Sequence, residues 1–462
     1  MIGLNKKRKV HFIGIGGVGM SGLAEFLYAV GHTVTGSDRQ ASAITRRLES
    51  LGLKVQYDHT PDLIKDADIA VFSSAVKIDN TERAYALEHR IPLLRRAEML
   101  GELMRMKFSV AIAGTHGKTT TTSLIGQILH DAGLNPTVIV GGILRHYDTN
   151  AIAGTGDILV AEADEYDRSF LKMFPSIAVV TNIEEDHLDC YTGIDDIRSA
   201  FVQFANGVPF YGALVACIDE AQVPALLAGY TKPVITYGLR PDADYTARSI
   251  SFGPKGAAFD AYRRGELLGR IALPIPGIHN VKNSLAACAV TAELGVPFEV
   301  ITRSLKGFAG VRRRFEIVGV AAGVTVIDDY AHHPSEIRAT LAAAKGAGHK
   351  RIIAVFQPHL YSRTQDFMDD FAAALSEADL LAVTSIYKSR EEPIPGISGE
   401  TIVDKAAALG HRRARYFENK DTIADHVKNE CLPGDAVVVM GAGDINEICG
   451  SILAKLQGKS HA

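Results

Sequence analysis

Short unbroken runs of apolar residues recur along the chain, each stopping at a glycine or a charged residue. Val10-His11-Phe12-Ile13 runs into Gly14-Ile15-Gly16-Gly17-Val18-Gly19. Ser109 to Ala113 runs into Gly114, and Thr325-Val326-Ile327 runs into Asp328-Asp329. Runs of this length, apolar throughout rather than alternating, mark strands buried on both faces of a parallel sheet. Further strands are expected at His32–Gly36, Ile69–Phe72, Ile158–Ala161, Ile177–Thr181, Ala213–Ala216, Arg351–Phe356, Leu380–Thr384 and Ala436–Met440. Helical segments lie between them, such as Met20 to Gly31, which ends at glycine, and His279 to Leu294. Asp242 to Leu273 alternates more and carries turn residues, which suggests a small antiparallel addition.

The pattern predicts an α/β protein of three domains. These are an N-terminal Rossmann-like domain over 1–107, a central P-loop-type ATP-binding domain with a mostly parallel sheet over 108–317, and a C-terminal Rossmann-like domain over 318–462. The 462 residues exceed what one core usually holds. In open parallel sheets ligands gather at the carboxyl ends of strands, where nearly every polar cluster of this chain falls, so the three domains are expected to face a shared cleft.

Composition narrows the class. Hydrophobic residues make up 47% and charged residues 22%, with a net charge of −4, which offers no basic field for nucleic acid. No apolar stretch approaches the ~18 residues of a membrane span, and the basic start Lys6 to Lys9 is not followed by a signal-peptide apolar region. Five scattered cysteines, none in a CxxC pair, point to reduced thiols and a cytoplasmic protein.

Gly114-Thr115-His116-Gly117-Lys118-Thr119-Thr120 follows an apolar strand and opens a helical segment. Glycines let backbone N–H groups wrap a phosphate, and the helix N-terminus adds positive potential. In such a loop Lys118 reaches the β/γ-phosphates and the Thr119 hydroxyl ligates Mg²⁺. The spacing between glycines is shorter than in the strict motif, and only its GKT end is met. Two neighbouring strand ends deliver Glu162, within Glu162-Ala163-Asp164-Glu165, and Asn182 followed by Glu184, Glu185, Asp186 and His187. A carboxylate such as Glu162 suits Mg²⁺; His187 by itself reads as an ordinary loop histidine.

Gly14-x-Gly16-x-x-Gly19 with Asp38 about 20 residues on matches the dinucleotide fingerprint. Any nucleotide diphosphate can use the same helix N-terminus. Two nucleotide sites in one chain argue against a simple NAD-dependent oxidoreductase. In the last third, Asp328-Asp329-Tyr330-Ala331-His332-His333-Pro334 and Phe356-Gln357-Pro358-His359-Leu360-Tyr361-Ser362-Arg363 each follow a strand, and an arginine such as Arg363 can clamp a carboxylate bidentately.

Taken together, Gly114 to Thr120, Glu162 to Glu165, Thr181-Asn182-Ile183-Glu184 with Asp186-His187, His279-Asn280 with Asn283, Arg313-Arg314-Phe315 and Asp328 to Pro334 resemble the Mur ligases over the full length of the chain. Gly14 to Gly22, the loop histidine His116, the pair His332-His333 and Phe356 to His359 are similar to the branch that acts on free L-alanine. The resemblance implies an ATP-dependent ligase of peptidoglycan precursor synthesis. It would join L-alanine to the lactoyl carboxylate of UDP-N-acetylmuramate through an acyl phosphate, releasing ADP and phosphate.

The same resemblance implies site residues. Gly14, Gly16, Gly17, Val18, Gly19, Ser37, Asp38, Ser73 and Ser74 would hold the UDP-sugar. Gly114, Thr115, His116, Gly117, Lys118, Thr119, Thr120, Asn280, Asn283, Arg314 and Asp329 would hold ATP, and Thr119, Glu162 and His187 would hold Mg²⁺. Tyr330, His332 and Arg363 would take the amino acid. Lys118, Glu162, His187, Arg314, Asp329 and His332 would be catalytic. Leu360 stands where a basic residue is expected in some relatives, which moves weight onto Arg363. The partners implied are UDP-N-acetylmuramate, L-alanine and ATP, with no nucleic acid and no membrane. The competing readings are a recycling ligase that adds a murein tripeptide to the same sugar nucleotide, an NAD-dependent oxidoreductase, and a nucleotide-binding regulator without catalysis.

Overall fold

The computed structural model describes residues 7–73, 75–145, 149–389 and 391–458. It is a mixed α/β structure with three sheets, mostly parallel.

The first sheet comprises β1 (Lys9–Ile13), β2 (Thr33–Ser37), β3 (Lys54–Gln56), β4 (Ile69–Phe72) and β5 (Leu93–Arg95), in the order β3-β2-β1-β4-β5 and parallel throughout. The second sheet has ten strands: β6 (Phe108–Ala113), β7 (Thr137–Leu144), β8 (Thr149–Ile152), β9 (Ile158–Glu162), β10 (Ile177–Val180), β11 (Ala213–Cys217), β12 (Val234–Gly238), β13 (Tyr245–Gly253), β14 (Gly256–Arg263) and β15 (Glu266–Leu273). Their order is β15-β14-β13-β12-β11-β10-β6-β9-β7-β8. β7 and β8 pair antiparallel, and β13 to β15 are sequence neighbours joined by tight turns, the antiparallel addition expected after Asp242. The third sheet comprises β16 (Glu316–Ala321), β17 (Val324–Asp329), β18 (Ile352–Phe356), β19 (Leu380–Thr384), β20 (Ala414–Phe417) and β21 (Ala436–Met440), in the order β16-β17-β21-β18-β19-β20. Only its first pair, β16 with β17, is antiparallel.

By packing the chain divides into two compact units. One runs to Arg248 and takes in Asp260–Gly269 and Lys282–Phe308; the other comprises Ser249–Phe259, Arg270–Val281 and the chain from Ala309 on. The first sheet and most of the second thus lie in one unit. There the helix Val18–Ala29 sends Met20, Leu23 and Leu27 into a core with Phe12 that continues through Ile139, Phe170, Phe201 and Phe204. Phe170 stacks on Phe204 at 5.1 Å and meets Phe201 edge-on at 5.2 Å. Each such ring contributes about 1.5–3 kcal/mol by burial.

The third sheet, in the second unit, is doubly wound. Along β18, Ile352, Ala354 and Phe356 pack with Ile337, Leu341, Phe371 and Ile402, while Ile353 and Val355 pack with Ile423, Val427 and Ile452. The two-residue period of a strand therefore feeds helices on both faces. With both faces covered, polar side chains gather on the loops at the strand ends. Among the described residues no helix is long and apolar enough to cross a membrane. Among the described residues none of the five cysteines is in a disulfide.

Candidate functional site

In the first unit the loop Gly114–Gly117 joins β6 to the helix Lys118–Asp131. Gly114 has φ 139° and Gly117 has φ 83°, conformations that favour glycine. A Cβ at Gly114 would lie 1.9 Å from Thr181 Oγ1, and one at Gly117 would lie 2.7 Å from Asn283 Oδ1. The loop is pinned from the end of β10: Thr181 Oγ1 donates to the His116 carbonyl at 2.5 Å, and the His116 N–H donates to Asn182 Oδ1 at 2.8 Å. Thr119 and Thr120 are buried in the first helical turn.

Lys118 does not reach into solvent. Its Nζ bonds Glu165 Oε2 at 2.7 Å, Glu165 Oε1 at 3.0 Å and the Gly114 carbonyl at 2.6 Å. Burial by itself lowers the pKa of this ammonium, but Glu165 beside it, with Asp164 and Glu162, more than offsets that and holds it above the ordinary lysine range. Glu165 is held in turn: Tyr191 Oη donates to its carbonyl at 2.6 Å. Glu165 stands in the acidic run after β9 but carries no role by motif; the signal was the run itself, with a half-buried lysine in need of a counter-charge.

Among the described residues, Asp164, Glu165 and His187 bring one possible ligand atom each to within 4.8 Å of one another. His187 has φ 56°, and its Nε2 lies 3.9 Å from Glu165 Oε1. Glu162, at the end of β9, accepts from the Gly141 N–H at 2.6 Å. The structure therefore groups His187 with Asp164 and Glu165, while Glu162 leans on β7. Carboxylates and hydroxyls with one imidazole form an oxygen-rich donor set, which suits a hard divalent cation.

The N-terminal glycine turn lines a cavity of about 440 Å³, together with Asp38, His59, Ser73 and Asn80. Asp38 Oδ2 accepts from the Gly16 N–H at 2.7 Å, and a Cβ at Gly16 would meet that oxygen at 2.8 Å. Gly19 is closed over by Arg96, whose Nη1 would lie 2.7 Å from a Cβ there. Arg96 thus places a guanidinium at the start of the helix Val18–Ala29, a feature that no motif flagged. Ser37 is fully buried, with its hydroxyl donated to Glu82 Oε2 at 2.5 Å. Ser74 lies outside the described residues.

In the second unit, Asp329 ends β17 and accepts the N–H groups of Phe315 (2.7 Å) and Ala331 (2.8 Å). Burial raises the Asp329 carboxyl to about 6 against the opposing pull of Arg314; burial also raises Asp328 to about 6 against the pull of Arg313. Tyr330 has guanidinium groups on it from both Arg313 (5.0 Å) and Arg314 (5.2 Å). Arg313 also donates to the Gly441 carbonyl at 2.5 Å and the Gly443 carbonyl at 3.1 Å, tying the segment before β16 to the end of β21. His332 Nδ1 lies 3.0 Å from the Tyr330 carbonyl, and its ring meets His359 at 6.2 Å. His333 caps the helix Pro334–Gly346. Arg363 sits on the short helix Tyr361–Asp366 and is 8% exposed. Asn280 is buried at the start of the helix Ile278–Glu293, donating to the Pro276 carbonyl at 2.7 Å.

Residues 9–108 match the Mur ligase family, catalytic domain; residues 112–291 match the Mur ligase middle domain; and residues 313–443 match the Mur ligase, glutamate ligase domain. The chain belongs to the Mur ligase family, and as such it is an ATP-dependent ligase. Among its relatives, the UDP-N-acetylmuramate–L-alanine ligase of Sorangium cellulosum is 49% identical over 457 residues, covering 98% of this chain and 97% of that one. The enzyme of the same name from Salinibacter ruber is 49% identical over 444 residues, covering 96% and 94%. The crystal structure of UDP-N-acetylmuramate-alanine ligase from Thermotoga maritima superposes with a TM-score of 0.82 at 30% identity, covering 98% of this chain and all of that one. A murein peptide ligase from Psychrobacter arcticus superposes with a TM-score of 0.70 at 27% identity, covering 97% and 99%.

Proposed function

We propose that this enzyme joins L-alanine to the lactoyl carboxylate of UDP-N-acetylmuramate in peptidoglycan precursor synthesis in the cytoplasm. The observation that carries the reading is near-full-length identity of 49% to ligases named for that reaction. Likeness to a peptide-adding ligase is weaker, at 27%. The domains take the roles that the sequence suggests: 1–107 for the UDP-sugar, 108–317 for ATP, and 318–462 for the amino acid and part of the ATP contacts.

A carboxylate is a poor acyl donor. One of its oxygens therefore attacks the γ-phosphorus of ATP, the bond from that phosphorus to the β–γ bridging oxygen breaks, and ADP leaves. The amine of alanine then adds to the acyl phosphate carbonyl, phosphate departs with its bonding electrons, and the nitrogen sheds a proton. Both steps gather negative charge, so fixed cations and N–H donors do the stabilising. Lys118, kept protonated by its carboxylate neighbours, exchanges Glu165 for ATP phosphate oxygens. The N–H groups of Gly114 to Thr120 cradle those phosphates. Asn280, Asn283, Arg314 and Asp329 are further ATP contacts. Thr119, Glu162 and His187 would hold a magnesium ion, with Asp164 and Glu165 close to His187; when bound, the ion neutralises phosphate charge. Tyr330, His332 and Arg363 take the alanine. The test is product mass: the protein with UDP-N-acetylmuramate, Mg-ATP and single amino acids, or a murein tripeptide, in parallel.

A further inference from the structure

Behind the cavity of the first sheet lies a buried polar network that the proposed chemistry does not use. Glu82, in the first turn of the helix Thr81–Glu88, is fully buried. Oε1 lies 2.9 Å from Nε2 of His11, itself fully buried on β1, and 3.2 Å from Gln56 Nε2. Oε2 lies 2.7 Å from His59 Nδ1 and 2.5 Å from Ser37 Oγ. Four donors converging on two oxygens are the arrangement of an ionised carboxylate, which only accepts. The positive end of its own helix supports that charge.

The proton positions follow by counting. The single Ser37 hydroxyl proton goes to Glu82, so the 3.1 Å contact between Ser37 Oγ and His59 Nδ1 leaves Nδ1 as the donor. His11 turns Nε2 to Glu82 and Nδ1 to Thr35 Oγ1, the latter at 2.8 Å. His59 lines the cavity and keeps 22% of its side chain exposed. With Nδ1 committed, its Nε2 carries the acceptor lone pair. A carboxylate behind a histidine fixes ring and tautomer in the way that second partners fix metal-binding histidines.

We propose that Glu82 is a positioning residue that locks His59 in the Nδ1–H tautomer, so that His59 Nε2 recognises a hydrogen-bond donor of the bound nucleoside. Two groups share that chemistry, the imide N3–H of uracil and a ribose hydroxyl. The inference rests on the reading of this cavity as the UDP site. It assigns a specificity role to His59, which lies in a loop after β3 and outside every motif of the sequence.

The test is calorimetric titration of the full-length protein with UDP, N3-methyl-UDP and 2′-deoxy-UDP. The parent is expected to lose about tenfold in affinity for one of the two analogues, which identifies the donor. His59→Ala should bind UDP about tenfold more weakly and treat that analogue like UDP. Glu82→Gln puts an amide N–H₂ beside one histidine and should erase the same discrimination; lowered thermal stability with discrimination intact would leave Glu82 a purely structural role and overturn the proposal. His59→Ala keeps the question answerable if Glu82→Gln does not fold, because His59 is partly exposed. Gly17→Asp is the control for the underlying reading. A Cβ at Gly17 has only ordinary contacts, at 3.6 Å, and aspartate is a good helix cap, yet its charge opposes a diphosphate. If Gly17→Asp loses UDP while His59→Ala discriminates like the parent, the cavity is the UDP site and the proposal is wrong. If Gly17→Asp binds UDP like the parent, the reading fails and takes the proposal with it.

Discussion

Lys118 and Glu165 form an ion pair, Nζ to Oε2 at 2.7 Å, with the glutamate side chain 3% and the lysine side chain 16% exposed. An exposed loop lysine could be removed with little effect on the fold; this one cannot. Lys118→Ala leaves a carboxylate buried without its ammonium, and breaking such a pair costs about 3–5 kcal/mol. The expected result is no turnover together with an unfolding free energy, measured by urea titration, lower by about that amount. Adding Glu165→Gln should return most of the stability and none of the activity. A Lys118→Ala protein as stable as its parent would show that the pair is not formed.

Gly114 is the loop position with least room. At φ 139°, and with Thr181 Oγ1 1.9 Å from where a methyl group would sit, alanine is both strained and in collision. Gly114→Ala is expected to displace the loop and weaken nucleotide binding by at least about tenfold, a loss of ~1.4 kcal/mol or more. Titration with a non-hydrolysable ATP analogue reads this directly, and unchanged affinity would contradict the loop geometry.

Asp328 carries a pH signature. Burial raises its carboxyl from the ordinary aspartate range to about 6. A group whose folded pKa exceeds its unfolded one holds its proton more tightly in the native state. Its contribution is therefore present below about pH 4, declines as pH rises toward 6, and is flat above that. At 1.36 kcal/mol per unit the decline is on the order of 2–3 kcal/mol. Asp328→Asn lacks this term, so relative to the parent its stability should improve as pH rises from about 4 to about 7. A constant difference across that range would mean that Asp328 titrates normally.

Arg363 is expected to clamp the alanine carboxylate. Charge-assisted bonds contribute roughly 1.5–3 kcal/mol each, so Arg363→Ala should raise the alanine KM by about two orders of magnitude. Arg363→Lys keeps the charge without the fork and should recover part of the loss. KM values for ATP and the sugar nucleotide should stay near those of the parent. If both variants keep the normal alanine KM, the clamp lies elsewhere.

The fold was most legible where strands are buried on both faces. The expected Ile69–Phe72, Leu380–Thr384 and Ala436–Met440 match β4, β19 and β21 end to end. What escaped were strands with a wet side or an edge position. Lys54–Gln56, Leu93–Arg95 and Ala414–Phe417 flank their sheets and carry charged residues, so no apolar run announces them. Thr137–Leu144 is broken by Gly141-Gly142, and Gly141 is small because Glu162 packs on it. The strand, loop and helix around Gly114 to Thr120 were legible because the glycines and the Lys-Thr pair lie within seven residues of one another. The Lys118–Glu165 pair, the Arg96 guanidinium over Gly19 and the Glu82 network were not, since each joins residues that only the folded chain brings together.

Product analysis tests the proposed reaction without an intermediary assay. The purified protein is incubated with UDP-N-acetylmuramate and Mg-ATP, with L-alanine in one vessel and a murein tripeptide in another, and the nucleotide products are weighed by mass spectrometry. L-Alanine ligation yields UDP-N-acetylmuramoyl-L-alanine with ADP and phosphate in the first vessel, and no adduct in the second. Adduct only with the tripeptide, or release of AMP and pyrophosphate, would contradict it.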